Sequence, residues 1–192
     1  KYLRKFLGDP QVIDIPAWKW KIILNCFVLP LRPAKSAKLY ERIWDGESFP
    51  LITNTENFTN SVREELKKID PEGYVEVNHA FLLSPPYVNE VYDSWEEDLK
   101  NNVGATKLMV IPMFPQYSES TIASGVDALA KELSKRVKIP TFEVITNFHR
   151  THAFIDNSVT QLDAKVEELK KEGVEIDKLV ISFHGMQKRR IV

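Results

Sequence analysis

From residue 74 to residue 183, short apolar runs alternate with longer helical stripes, and this alternation constrains the fold more than any other feature of the chain. The runs at 74–78, 107–112 (KLMVIP), 142–147 (FEVITN) and 178–183 (KLVISF) are strand-length and rich in β-branched and aromatic residues. Between them Val88, Val91, Tyr92, Trp95 and Leu99 recur at helical spacing, then Ile122, Val126, Leu129 and Leu133, then Ile155, Val159, Leu162, Val166 and Leu169. Gly173 stands where the last of these helices would be capped. Strand and helix alternating in this way predict an α/β domain, a Rossmann-like parallel sheet with right-handed crossovers and helices on both faces.

Ligands of such sheets sit outside the carboxyl ends of the strands, so the residues just past each run are the candidates for chemistry. The first run is followed by His79, Phe81, Leu82, Leu83 and Ser84, and the second by Phe114, Gln116, Tyr117, Ser118, Ser120 and Thr121. Asn147, His149, Arg150 and His152 follow the third, and His184 follows the fourth. A parallel sheet would bring these tips to one edge, so His79, His149 and His184 are expected to open on one crevice. Imidazoles, a tyrosine and hydroxyls with few acids suit metal handling or proton transfer. The plainer reading of His184 is a loop residue that closes the end of the sheet, and position alone leaves both open.

Upstream of the sheet, Tyr2, Leu3, Phe6 and Leu7 share one helical face that ends at Gly8 and Pro10. No N-cap precedes them, so the chain is expected to begin inside an element. Residues 16–31 (PAWKWKIILNCFVLPL) are the most apolar stretch. They read either as a core helix or as an interfacial helix and lip over an apolar ligand, since tryptophans alternate with lysines and the run is too short to span a bilayer. Pro33 suits a first helical turn, and Ala37, Tyr40, Ile43 and Trp44 continue as a stripe. Arg32 and Lys35 at the start of that helix oppose its dipole, which leaves them as solvated charges or as cations for an anionic partner. Phe58, Val62, Leu66 and Ile69 mark a further helix, closed by Pro71 and Gly73.

The net charge of −1 offers no basic excess, so nucleic acid is not expected as a partner. A single cysteine, Cys26, excludes an internal disulfide and suits a reducing compartment. With no signal peptide and no spanning run, the chain is expected to be soluble and cytoplasmic, with 16–31 as the segment suited to peripheral membrane contact. GxGxxG, the Walker A lysine loop, the GxSxG elbow and HExxH are all absent. In HRTH at 149–152 two histidines stand at ligand-like spacing on a helix, but a histidine at a helix entry is more often a capping or surface residue than a zinc ligand.

Particular words then carry a resemblance. YLRKFLGDPQVIDIP near the start, LRPAKSAKLYERIW followed by Pro50-Leu51, IPMFPQYSESTIAS and ISFHGMQKRR resemble the ferrochelatases, which insert ferrous iron into a porphyrin in haem synthesis. PQYS and SFHG, in this order and spacing, are the specific ones. The resemblance implies a chelatase-like fold in which 1–192 is one half of a two-lobed architecture, without its first strand and without the second lobe. It implies that His184 is catalytic, accepting pyrrole protons or binding the incoming metal. It implies that Arg32, Lys35 and Tyr40 line the porphyrin cleft, the cations facing propionates, and that Phe114, Tyr117, Ser118, Ser120 and Thr121 lie beside the macrocycle. Residues 16–31 match the lip of the cleft, which in some members touches the membrane.

The implied partners are a proto- or coproporphyrin, ferrous iron as substrate, and the second lobe of the same protein. No cofactor is required, and Cys26 alone cannot hold the iron–sulfur cluster found in some members, since such clusters usually take four protein ligands. The chain departs from the family in three places. Leu82-Leu83-Ser84-Pro85-Pro86 replaces an Arg-Tyr pair before Gly-Asn-Pro, Phe114 replaces the first tyrosine of YPQYS, and Phe49 stands where a serine is usual. All three make the slot more apolar. A non-catalytic tetrapyrrole-binding module and a half-size chelatase that dimerises to complete its cleft are the alternatives; the isolated 192 residues are expected to be inactive in metal insertion.

Overall fold

The computed structural model describes residues 2–13, 15–101, 107–186 and 188, with backbone only for 97–101. Helix α1 (Tyr2–Leu7) stops at Gly8, where a Cβ would come within 2.6 Å of the Arg4 carbonyl oxygen. Helix α2 (Ala17–Ile23) passes through a π-helical turn over Leu24–Val28 into the short α3 (Leu29–Leu31), and α4 (Pro33–Glu41) follows. The expected helical course of 16–31 is therefore present, and it is not a buried one. Leu24 turns inward, Trp20 is half-buried with its indole N–H donating to the Leu7 carbonyl at 2.6 Å, and Trp18 is 65% exposed.

Helix α4 ends before Ile43 and Trp44, which the helical spacing includes. Its last turn tightens into i→i−3 bonds, and Asp45 then accepts from the Glu47 and Ser48 amides at 2.9 and 2.6 Å, turning the chain away. Helix α5 (Pro50–Ile69) begins with proline in its first turn, where no amide is missed.

Among the described residues the sheet is a parallel pair. Strand β1 (Lys107–Val110) lies beside β2 (Thr141–Val144) with Leu108 opposite Phe142 and Val110 opposite Val144. Leu108 and Val110 pack, with Val88, on a core of Tyr92, Leu129 and Leu133 supplied by α6 (Val88–Asn101) and α7 (Ser124–Leu133). On the opposite face Lys107 pairs with Glu143 at 2.6 Å and Met109 is 53% exposed. The Arg136 guanidinium fastens the far end of α7 to α6, reaching Asp93 at 2.5 Å and Glu96 at 2.8 Å while lying over the Tyr92 ring. Helix α8 (His152–Lys171) is capped by the Thr151 hydroxyl, which accepts from the Phe154 amide. It ends with Gly173 at φ +78° and a bond from the Val174 amide to the Leu169 carbonyl, the paired-bond ending that a left-handed glycine permits.

The α/β class, the parallel sheet and the helices around it agree with the alternation in the sequence, but two expected strands do not form among the described residues. At 74–78 the polar groups are claimed by side chains instead of a ladder. The Val75 amide donates to Asp70 Oδ2, and Arg63 donates to the Val77 carbonyl and to Asn78 Oδ1. At 178–183 no ladder forms, and Val180 and Phe183 are 84% and 80% exposed. Strand propensity largely reflects packing on a pleated neighbour, and among the described residues the run meets none.

Candidate functional site

The carboxyl ends of β1 and β2 are tied together by one carbonyl. Pro115 O, in the loop after β1, accepts from the Phe148 and His149 amides at 3.0 and 3.1 Å, and His149 Nδ1 lies 3.3 Å from it. Just below, the Ile145 amide donates to the Val110 carbonyl at 2.9 Å and continues the ladder. These bonds hold the loop that carries Phe114, Gln116 and Tyr117 against the tip of β2. Phe114 and Tyr117 are about half exposed there.

The hydroxyls of this loop form their own cluster. Ser118 Oγ lies 2.6 Å from Thr121 Oγ1 and 3.4 Å from Ser120 Oγ, at the start of a π-helical turn over Glu119–Ala123 that feeds α7. Ile122, the next residue, is fully buried and pins the turn to the core. Ser124 then donates to the Asp9 carboxylate, which also accepts the Gln11 amide at 2.8 Å, so this loop is joined to the segment after α1.

A second group gathers at the other end of α1. The Tyr40 and Tyr2 hydroxyls share a hydrogen bond of 2.9 Å with their rings edge to face, and Tyr2 stacks on Phe6. Burial first, then the Tyr40 hydroxyl beside it, pushes the Tyr2 phenol up to about 12. Phe49 packs edge to face on both Tyr40 and Trp44. The phenylalanine that departs from the family pattern thus has a packing role in this chain. Arg32 and Lys35, at the start of α4, are exposed and form no ion pair among the described residues. Helix α1 links the two groups, with Tyr2 on Tyr40 and the Gly8–Asp9 turn on Ser124.

The three histidines expected in one crevice do not form a cluster. His79 Nδ1 lies 3.1 Å from the buried Thr59 hydroxyl, and its ring sits edge to face on Phe81. His149 is on Pro115. His184 is exposed on the irregular 178–186 segment and makes no hydrogen bond, ion pair or ring contact with a described residue. Among the described residues no three His, Cys, Asp or Glu side chains come together as a metal site. Among the described residues 178–183 forms no ladder with β1 or β2, so the pairing expected to bring His184 to their tips is absent.

Leu82 and Leu83 lie in a loop closed by a bond from the Phe81 amide to the Pro86 carbonyl at 2.8 Å, and Lys5 Nζ stands 3.8 Å over the neighbouring Tyr87 ring. Beneath the apolar α2 segment is a cleft of about 240 Å³ lined by Asp9, Pro10, Ile13, Ile15, Trp20 and Leu24. That is below the usual size of a pocket for a drug-sized ligand, about 300–1,000 Å³, so it does not enclose a tetrapyrrole. The sequence pattern singled out Tyr40 and the 114–121 loop. It missed Tyr2, Asp9 and Ser124, whose partners lie far away in the chain, and no local periodicity signals such pairs.

Comparison with known proteins places these observations. The model of the family described as Ferrochelatase matches residues 1–192. The chain is 34% identical over 188 residues to the ferrochelatase of Idiomarina loihiensis, covering 98% of this chain and 49% of that protein. It is 32% identical over 190 residues to the ferrochelatase of Nitrosomonas europaea, covering 99% and 50%. It is 34% identical over 192 residues to the coproporphyrin III ferrochelatase of Streptococcus mutans, covering 100% and 55%. The chain spans about half the length of the curated relatives it matches.

Proposed function

The chain belongs to the ferrochelatase family, and from that premise we propose that it forms one wall of a porphyrin cleft in an enzyme that inserts ferrous iron into a proto- or coproporphyrin in haem biosynthesis. The match of the whole chain to the family carries this reading. The geometry adds a coherent division of labour. Arg32 and Lys35, exposed and without ion pairs among the described residues, are free to meet propionates. Tyr40, Phe114 and Tyr117 offer apolar ring surface, and Ser118, Ser120 and Thr121 offer hydroxyls beside it. Ferrous iron enters as substrate and displaces two pyrrole protons. A neutral imidazole suits the acceptance of such a proton, and His184 takes that role once it is brought to the cleft. The reaction as proposed uses no cofactor.

Residues 16–31 have a second role in this proposal, as a lip that rests on a membrane surface. Trp18, Ile22, Phe27 and Leu31 are exposed on that segment, beside Lys19 and Lys21. Among the described residues no helix is long and apolar enough to cross a membrane, so this contact is peripheral. Leu82-Leu83, in place of the family's Arg-Tyr pair, favours the competing reading of a tetrapyrrole-binding module that performs no insertion.

Replacing His184 with alanine in the full-length protein decides between them. Its side chain is exposed, so folding should be intact by circular dichroism. General acid–base groups typically contribute about 10²–10⁴-fold, and iron insertion should fall by that order while porphyrin binding persists. Undiminished insertion by His184→Ala would defeat the catalytic role, and porphyrin binding without insertion by the unaltered protein would establish the binding module.

A further inference from the structure

The Pro115 carbonyl fixes more than the position of a loop. A carbonyl oxygen only accepts, so the ring nitrogen that faces it at 3.3 Å must carry the proton. In the neutral imidazole that makes Nδ1 the N–H and leaves Nε2 as the nitrogen with the lone pair. The two other donors on this oxygen, the Phe148 and His149 amides, are backbone groups that most residues would supply. The third is a property of the histidine side chain alone.

We propose that His149 is a positioning residue for the loop at 114–121, acting through its Nδ1–H on the Pro115 carbonyl. The role rests on the porphyrin reading given above, which puts Tyr117 and the hydroxyls of this loop beside the macrocycle. The loop hangs between two anchors. Ile122, fully buried, sets its depth in the core, and Pro115 sets its position over the tip of β2. Tyr117, 55% exposed, lies between them, and its own packing holds it only in part. Pro115 has no N–H, so its carbonyl is the one backbone group through which it can be held. Without the side-chain bond only the two backbone amides tie Pro115 to the tip of β2, so the loop opens more readily there while Ile122 stays in place.

The test uses His149→Ala and His149→Asn in the full-length protein, since the Asn side-chain amide sits where Nδ1 sits and can restore the donor. A net hydrogen bond of ordinary strength corresponds to about a three- to tenfold change in an equilibrium. Amide exchange over 116–121 should quicken by about that factor in His149→Ala. The KM for porphyrin should rise alike with kcat unchanged, and His149→Asn should restore both. Nitrogen-15 spectra of the unaltered protein should show His149 protonated at Nδ1 and bare at Nε2. Unchanged exchange in His149→Ala, no rescue by Asn, or a proton found on Nε2 would overturn the proposal. A fall in kcat with unchanged KM would also overturn it, because His149 would then act in the chemistry itself. Quickened exchange with unchanged porphyrin affinity would overturn the link to the substrate. The exchange and nitrogen spectra need no porphyrin, so a protein that binds none would defeat the proposed function while those two measurements still decide the tie.

Discussion

Tyr2 and Tyr40 are 38 residues apart in the chain, yet their hydroxyls share one hydrogen bond in a nest of aromatic rings. The consequence falls on the acidity of the phenol. Tyr2 is raised from its ordinary 10.0 to about 12, chiefly by burial. Below the ordinary value both folded and unfolded chains hold this proton, and the stabilisation is fully present. As pH climbs from 10.0 toward about 12 the unfolded chain loses the proton first, and that contribution is lost. A phenolate absorbance titration of the unaltered protein against Tyr2→Phe should therefore differ by one group titrating near 12. A difference in the ordinary tyrosine range would mean that the pair does not exist in solution. Tyr40 was legible because a family word marked it. Tyr2 stands in a family word too, but its pairing with Tyr40 was not legible, since it depends on a contact that only the folded chain creates.

Helix α7 shows what periodicity reads well. Ile122, Val126, Leu129 and Leu133 repeat at helical spacing; Ile122, Leu129 and Leu133 are buried, the last two packed with Tyr92 of α6 against the sheet. Leu133, only 2% exposed, closes the core beneath Leu108 and Val110. Leu133→Ala should cost about 2–5 kcal/mol in urea unfolding of the full-length protein, the range for a leucine removed from a packed interior. Met109→Ala, on the open face of the same sheet, should cost far less. Periodicity reads the two absent strands poorly, for a physical reason. A helix closes its hydrogen bonds within its own sequence, whereas a strand needs a neighbour that local sequence does not name. The runs at 74–78 and 178–183 have strand composition. Arg63 and Asp70 take the polar groups of the first, and the second finds no ladder among the described residues. His184 was legible by type and by motif, but its place relative to the β1 and β2 tips depends on that pairing.

For the molecule as a whole, one surface stands apart. From Ile15 to Tyr40 there is no acidic residue, and the helical course through α2, the π turn, α3 and α4 carries Lys19, Lys21, Arg32, Lys35 and Lys38. Trp18, Phe27 and Leu31 are 65%, 62% and 71% exposed on it. A cationic surface with apolar side chains suits anionic lipid. The full-length protein should sediment with phosphatidylserine vesicles, with Trp18 emission moving to the blue, and the paired change Trp18→Ala and Phe27→Ala should weaken this by at least tenfold. Equal recovery with uncharged vesicles, or no effect of the paired change, would remove the membrane from the account. The exposed run at 178–183 has a different consequence. Apolar, unpaired and rich in Val, Ile and Leu, it has the make-up of a segment that stacks with copies of itself into a cross-β array. A polypeptide of these 192 residues, made alone in a cell, would present that run to chaperones and to its own copies as soon as it left the ribosome. Its yield would then depend on how quickly something else covers Leu179, Val180, Ile181 and Phe183.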